Sequence, residues 1–190
     1  SLGLVGSEMC IRDRTPQGIL TVLEQPVYDL TQLLEQPDPL FLMLENLQDP
    51  GNLGTMIRTG EGAGITGVIM NNQTVDIFNP KTIRATMGSI FRVPFVYVPD
   101  LAPVLEQMHA KGIHTYAAHL KGQEYYDSFS FREPTAFLIG NEGNGLSKEI
   151  SDQAGQYLKI PMEGRVESLN ASIAAALLMY EAHRQRSARL

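Results

Sequence analysis

The sequence predicts an α/β fold: a mostly parallel, six-stranded sheet with helices on both faces. Three observations predict it. From residue 40 onward, short β-rich runs alternate with helical stretches. The runs are almost continuously apolar, as strands covered on both faces are. No two of them are joined by an Asn-Gly or Asp-Gly turn, so successive strands are expected to connect through helices and to run parallel. At 190 residues, 43% apolar and 19% charged, the chain suits one ordinary domain with a sizeable core and is too apolar for disorder.

Residues 1–14, SLGLVGSEMCIRDR, carry neither a helical nor a strand period and lack the basic start and cleavage site of a signal peptide. They read as a disordered or foreign tail. Residues 15–39 are spaced by Pro16, Pro26, Pro37 and Pro39, a lead-in segment with one short helix at 27–34. The compact domain runs over 40–190. Strands are expected at 40–44, 67–70, 95–98, 114–118, 136–139 and 157–160. Helices are expected at 53–62, 80–88, 101–111, 146–154 and 169–186, with Asp100 and Ser168 as N-caps and Gly112 as a C-terminal stop.

The longest apolar runs, at 173–180 and 41–44, fall far short of the roughly 20 residues a bilayer requires, which argues against a membrane role. One cysteine, Cys10, leaves no internal disulfide and no thiolate cage, so a reducing cytoplasm is the simplest location. His109, His114, His119 and His183 include no ligand-spaced pair, so no metal site is expected. A net charge of −6 argues against non-specific coating of nucleic acid. Local basic patches remain compatible with it.

Gly62 to Gly67 spell G-A-G-I-T-G, the glycine spacing of a dinucleotide-binding turn. In that turn the glycines follow a strand and open a helix. Here they close a helix and lead into a strand, so a helix end with positive φ explains them better. Three other polar segments each follow a predicted strand, where open α/β sheets bind ligands. The first, 45–58, reads ENLQDPGNLGTMIR: Asn52 is placed to cap the next helix and Arg58 lies about one and two-thirds turns further on. The second, 139–146, reads IGNEGNGL and packs three glycines around Glu142. Such a loop brings bare amides and carbonyls close to a ligand. The third, 160–170, reads IPMEGRVESLN and puts Ser168 and Asn170 at the start of the last helix. Each segment alone can be a capped turn. A single site built from all three is more economical than three coincidences.

Taken in order, these segments resemble the three motifs of the SpoU (TrmH) family of RNA 2′-O-ribose methyltransferases, in the SPOUT superfamily. The resemblance rests on Asn52, Gly54 and Arg58; on Gly140, Glu142, Gly145 and Leu146; and on Ile160, Pro161, Met162, Gly164, Ser168, Leu169, Asn170, Ser172, Tyr180 and Glu181. It implies a C-terminal trefoil knot, a homodimer, and S-adenosylmethionine bound in the knot with its methyl directed at a ribose hydroxyl. It implies that Gly140, Ile160, Met162, Leu169 and Ala118 hold the cofactor. The catalytic candidates it implies are Arg58, Asn52, Glu142, Ser168 and Asn170. A guanidinium is hard to deprotonate, so Arg58 is read as a phosphate anchor, with an RNA phosphate as proton acceptor. Asn170 and Ser168 then orient the ribose while Glu142 holds Asn52 or Arg58.

Basic residues that could meet RNA are Lys81, Arg84, Arg92, Arg165, Arg184, Arg186 and Arg189. The target expected is ribosomal RNA, because 15–34 is similar to the linker and first helix of the ribosomal-RNA enzymes and the chain then reads as a shortened form of one. A transfer-RNA enzyme and a catalytically silent RNA-binding factor of the same fold are the alternatives. A nicotinamide-dependent oxidoreductase using Gly62 to Gly67 is the reading from another class.

Overall fold

The computed structural model describes residues 22, 24–165 and 168–187. The expected tail at 1–14, the start of the lead-in segment and Arg189 lie outside the described residues. Within them the chain forms β1 (Leu40–Leu44), β2 (Gly67–Asn71), β3 (Phe95–Val98), β4 (His114–Ala118), β5 (Glu124–Tyr125), β6 (Thr135–Ile139) and β7 (Gln156–Lys159). The helices are α1 (Leu30–Leu34), α2 (Pro50–Ala63), α3 (Pro80–Thr86), α4 (Ala102–Ala110), α5 (Lys148–Gln153) and α6 (Ala171–Ser187). All strands lie in one parallel sheet of order β3-β2-β1-β6-β4-β7-β5.

The sheet thus has seven strands rather than the expected six. The extra one, β5, is two residues long and pairs with Leu158 and Lys159. A strand that short displays no period, so nothing in the sequence marks it.

Residues of β1 alternate between two cores. Leu40, Leu42 and Leu44 meet Leu53, Met56 and Ile57 of α2 and Ala175, Leu178 and Met179 of α6 on one face. Phe41 and Met43 meet Leu33 and Leu34 of α1, Val104, Leu105 and Met108 of α4 and Ile150 of α5 on the other. Helices therefore cover both faces, and every residue of β1 is buried.

Helix boundaries moved where capping chemistry was misassigned. Asp49, not Asn52, is the N-cap of α2: its Oδ1 accepts from the Asn52 amide at 2.8 Å, with Pro50 at the first helical position. Helix α2 therefore begins three residues before the expected 53. It ends at Gly64 in the left-handed region (φ 76°), as read for the glycine run. Helix α3 stops at Thr86, because Met87 (φ 50°) and Gly88 (φ 89°) turn left-handed before a 3-10 turn at Ser89–Phe91. The last helix is capped by Asn170, whose Oδ1 accepts from the amides of Ser172 at 2.8 Å and Ile173 at 3.3 Å, not by Ser168. Gly112 does end α4 with φ 74°, but the N-cap of α4 is Leu101, without a side-chain bond, rather than the expected Asp100, which sits one residue earlier and accepts from the Ala102 amide at 2.9 Å.

The last turn of α6 is fastened to the start of the sheet. Arg186 donates to the carbonyls of Asp38 and Phe131 at 2.8 Å, Glu133 at 2.7 Å and Pro39 at 3.3 Å. Gln185 accepts from the Phe131 amide at 2.8 Å and donates to the Phe129 carbonyl at 2.9 Å.

Candidate functional site

The loops after β1, β6 and β7 meet at the carboxyl ends of the strands, where a parallel sheet opens. Each is shaped by its own chemistry. After β6 the chain doubles back at once: Asn141 and Gly145 exchange main-chain hydrogen bonds of 3.0 and 2.8 Å, and Gly145 takes φ 70°. The Asn141 side chain fastens the bend by accepting from the amides of Gly143 and Asn144 and donating to the Asn46 carbonyl. A Cβ on Gly140 would lie 2.1 Å from the carbonyl carbon of Gly145, so only glycine admits this crossing. The loop exits through Ser147, which caps α5 and whose amide donates to Glu45 Oε2 at 2.7 Å.

Glu142 projects from this bend onto the loop after β1. Its Oε2 accepts from the Gln48 amide at 3.0 Å; its Oε1 accepts from the Asp49 amide at 2.9 Å and from Asn52 Nδ2 at 3.1 Å. A carboxylate only accepts, so it fixes the Asn52 amide and turns Oδ1 outward. That oxygen accepts from Asn170 Nδ2 at 3.0 Å. Asn170 Oδ1 is taken up in turn by Ser172 and Ile173. One relay, Glu142–Asn52–Asn170, therefore ties the three motif loops together.

Electrostatics support it. Partial burial pushes the Glu142 carboxyl up, but the bonds from Asn52, Asp49 and Gln48 outweigh it and hold the group below its ordinary value. Asp49 is likewise held low, first by the Asn52 amide and then by Lys81, whose Nζ lies 3.1 Å from Oδ2.

Beside the relay lies a cavity of about 350 Å³. Gly140, Ile160, Met162, Leu169 and Ala118, the residues expected to hold a cofactor, all line it. Glu142 and Ser168 reach it too. Its walls combine aliphatic side chains such as Ile139, Leu158 and Leu169 with polar ones such as His119, Asn144 and Lys159, apolar cover with a few polar anchors, as a small-molecule site has.

Arg58 stands apart. It is exposed on α2, six residues beyond Asn52, and at 100° per residue that places it about 120° around the helix from the relay. Among the described residues no hydrogen bond joins it to Asn52, Glu142 or Asn170. The structure therefore unites Asn52, Glu142 and Asn170, puts Ser168 at the cavity, and leaves Arg58 facing solvent. Sequence reasoning missed Asp49, Asn141 and Glu45. Asp-Pro at a strand-to-helix turn signals an N-cap and would have found Asp49. Glu45 is 6% exposed and anchors the far end of the glycine loop, a long-range contact with no local signature.

Comparison with known proteins follows the same residues. The sequence profile of the SpoU rRNA Methylase family matches residues 39–180. The chain is 36% identical over 166 residues to the 23S rRNA (guanosine(2553)-2'-O)-methyltransferase RlmP of Bacillus subtilis (strain 168), covering 87% of this chain and 64% of that one. It is 33% identical to the 23S rRNA (uridine(2479)-2'-O)-methyltransferase of Streptomyces viridochromogenes, covering 94% of this chain and 64% of that protein. The crystal structure of the SpoU methyltransferase AviRb from Streptomyces viridochromogenes, in complex with the cofactor AdoMet, superposes with a TM-score of 0.80 at 34% identity, over 86% of this chain and 64% of that one. The chain spans just under two thirds of the length of these relatives.

Proposed function

The chain belongs to the SpoU rRNA Methylase family, and from that premise we propose that it is an S-adenosylmethionine-dependent enzyme that methylates a ribose 2′-hydroxyl of structured RNA, ribosomal RNA ahead of transfer RNA. The observation that carries this reading is the Glu142–Asn52–Asn170 relay bordering the cavity. The relatives named for 2′-O-methylation of 23S rRNA supply the reaction class.

The cavity suits the cofactor. Its volume lies at the lower end of the range for small-molecule sites, about 300–1,000 Å³. Ile160, Leu169, Met162 and Ala118 would cover apolar parts of the ligand, and the main chain from Gly140 onward would bond its base. When bound, S-adenosylmethionine supplies a methyl activated by a sulfonium. The rest falls to this chain's side chains.

Glu142 is a positioning residue. Both its oxygens are already engaged and its carboxyl is held low, so it is a poor acceptor for a ribose proton. Asn170 keeps one amide N–H beyond its bond to Asn52, and Ser168 keeps its hydroxyl; these orient the ribose. Arg58 anchors a phosphate by bidentate contact, the geometry its planar fork of donors is built for. A neighbouring RNA phosphate takes the hydroxyl proton.

Homodimerisation belongs to the same reading. The outer face of α6 leaves Ile173, Leu177 and Tyr180 at 50%, 37% and 48% exposure, an apolar stripe that a second copy would cover. The trefoil knot that the family resemblance implies belongs to the same reading. The methyltransferase unit of this reading runs over 40–190, preceded by the lead-in segment 15–39 and the tail 1–14. Its place is the cytoplasm, with the RNA it modifies; no helix among the described residues is long and apolar enough to cross a membrane.

The test is direct. Calorimetry on the purified chain should show S-adenosylmethionine binding, and ribose-methylation mapping of RNA from a deletion strain should reveal one lost 2′-O-methyl. Cofactor binding with no methyl transfer to any RNA would instead identify a silent RNA-binding factor.

A further inference from the structure

We propose that α3 and the 3-10 turn after it form the surface that receives the unpaired nucleotides flanking the target ribose, with Phe91 as a stacking platform, Met87 as an apolar contact and Arg84 as a phosphate contact. This rests on the reading above that the substrate is RNA, and adds which face of the molecule holds it.

The composition of the strip runs against that of the chain. Residues 77–99 carry Lys81, Arg84 and Arg92 and no carboxylate, in a protein of net charge −6. The same stretch presents two large apolar side chains to water, Met87 at 71% exposure and Phe91 at 60%. Apolar faces interleaved with cations are what a single strand requires: its bases stack and its phosphates pair. Met87 is offered outward from a left-handed backbone (φ 50°), sparsely populated for a residue with a side chain.

The strip is also continuous with the candidate site. Lys81 pairs with Asp49 at the start of α2, and Arg92 pairs with Glu61 near its end. Between them α3 lies so close to α2 that a Cβ on Gly54 would be 2.5 Å from Ala85 Cβ and 2.6 Å from the Thr82 carbonyl. The helix rises about 18 Å from Asp49 to Glu61, the length of roughly five stacked nucleotides at about 3.4 Å each. Arg58 is exposed on that helix, and neither Arg58 nor Arg84 forms an ion pair among the described residues. A second copy of this chain is the rival occupant. A two-fold interface here would set the strip against itself and bring Arg84, which carries no ion pair among the described residues, toward its own copy, which disfavours it.

The experiment measures anisotropy of a labelled single-stranded oligouridylate, about ten nucleotides long, titrated with the full chain at several salt concentrations. Phe91→Ala should weaken binding about tenfold and Met87→Ala should weaken it by a smaller factor, while Phe91→Tyr, which keeps the ring, should bind like the native chain. Arg84→Ala should lower the salt slope by about one. Cofactor affinity and the mass by light scattering should stay unchanged in every variant. Absence of binding by the native chain, unchanged affinity in the alanine variants, or a change of mass in Phe91→Ala overturns the proposal. Failure of the native chain to bind S-adenosylmethionine would overturn the methyltransferase reading instead, leaving the strip to be judged on the RNA affinities.

Discussion

At the scale of single residues, Glu142 shows how one carboxylate can fasten the loop after β6 to the loop after β1. The folded chain favours its ionised form, so its stabilisation is fully present above the ordinary value of 4.5 and is lost as the pH falls through the lower folded-state value. Glu142→Gln should therefore cost about 1 kcal/mol at neutral pH, the low end for charge-assisted bonds because the carboxylate meets solvent. In urea titrations the gap between native and variant should narrow progressively as the pH falls below 4.5; a gap that did not narrow with falling pH would remove the charge from the explanation. Asn52, Glu142 and Asn170 were all legible as candidates, because polar side chains in loops after buried strands are expected to bind, and the structure brings the three together. Their linkage was not legible. A sequence does not reveal which amide atom faces which neighbour, nor that the Asn52 side chain, with Asp49 doing the capping, is left to meet Glu142.

Among the elements, strands were read better than helix ends. Apolar runs such as LFLML at β1 announce themselves, and β1, β3 and β4 match their expected bounds. Helix ends depend on single side chains and on positive φ, and there α2, α3 and α6 departed from expectation. Two glycines test whether close crossings govern the site. Gly140→Ala would drive a methyl into the Gly145–Leu146 main chain, so the loop must open, and the dissociation constant for S-adenosylmethionine should rise more than tenfold by calorimetry. Gly54→Ala, by contrast, would separate α2 from α3 and should cost about 1–3 kcal/mol of stability in denaturant titration. Its effect on cofactor affinity should be small, because no wall of the cavity comes from α3.

Considered as a whole, the molecule divides its work between two faces: the strand ends hold the cavity, and the exposed side of α6 offers an apolar stripe. Leu177→Glu should convert a dimer into a monomer by light scattering while far-ultraviolet dichroism stays native; an unchanged mass would exclude α6 from the interface. The fold class was legible because alternation of strands and helices survives any error at their ends. The joining of α6 to the start of the sheet was not, since Arg186 and Asp38 are 148 residues apart and share no local pattern. That clasp bears on timing during synthesis. A growing polypeptide already holds Asn52 and Glu142 long before the helix bearing Gln185 and Arg186 is made, so competence should arrive in one step with that helix rather than accumulate with length.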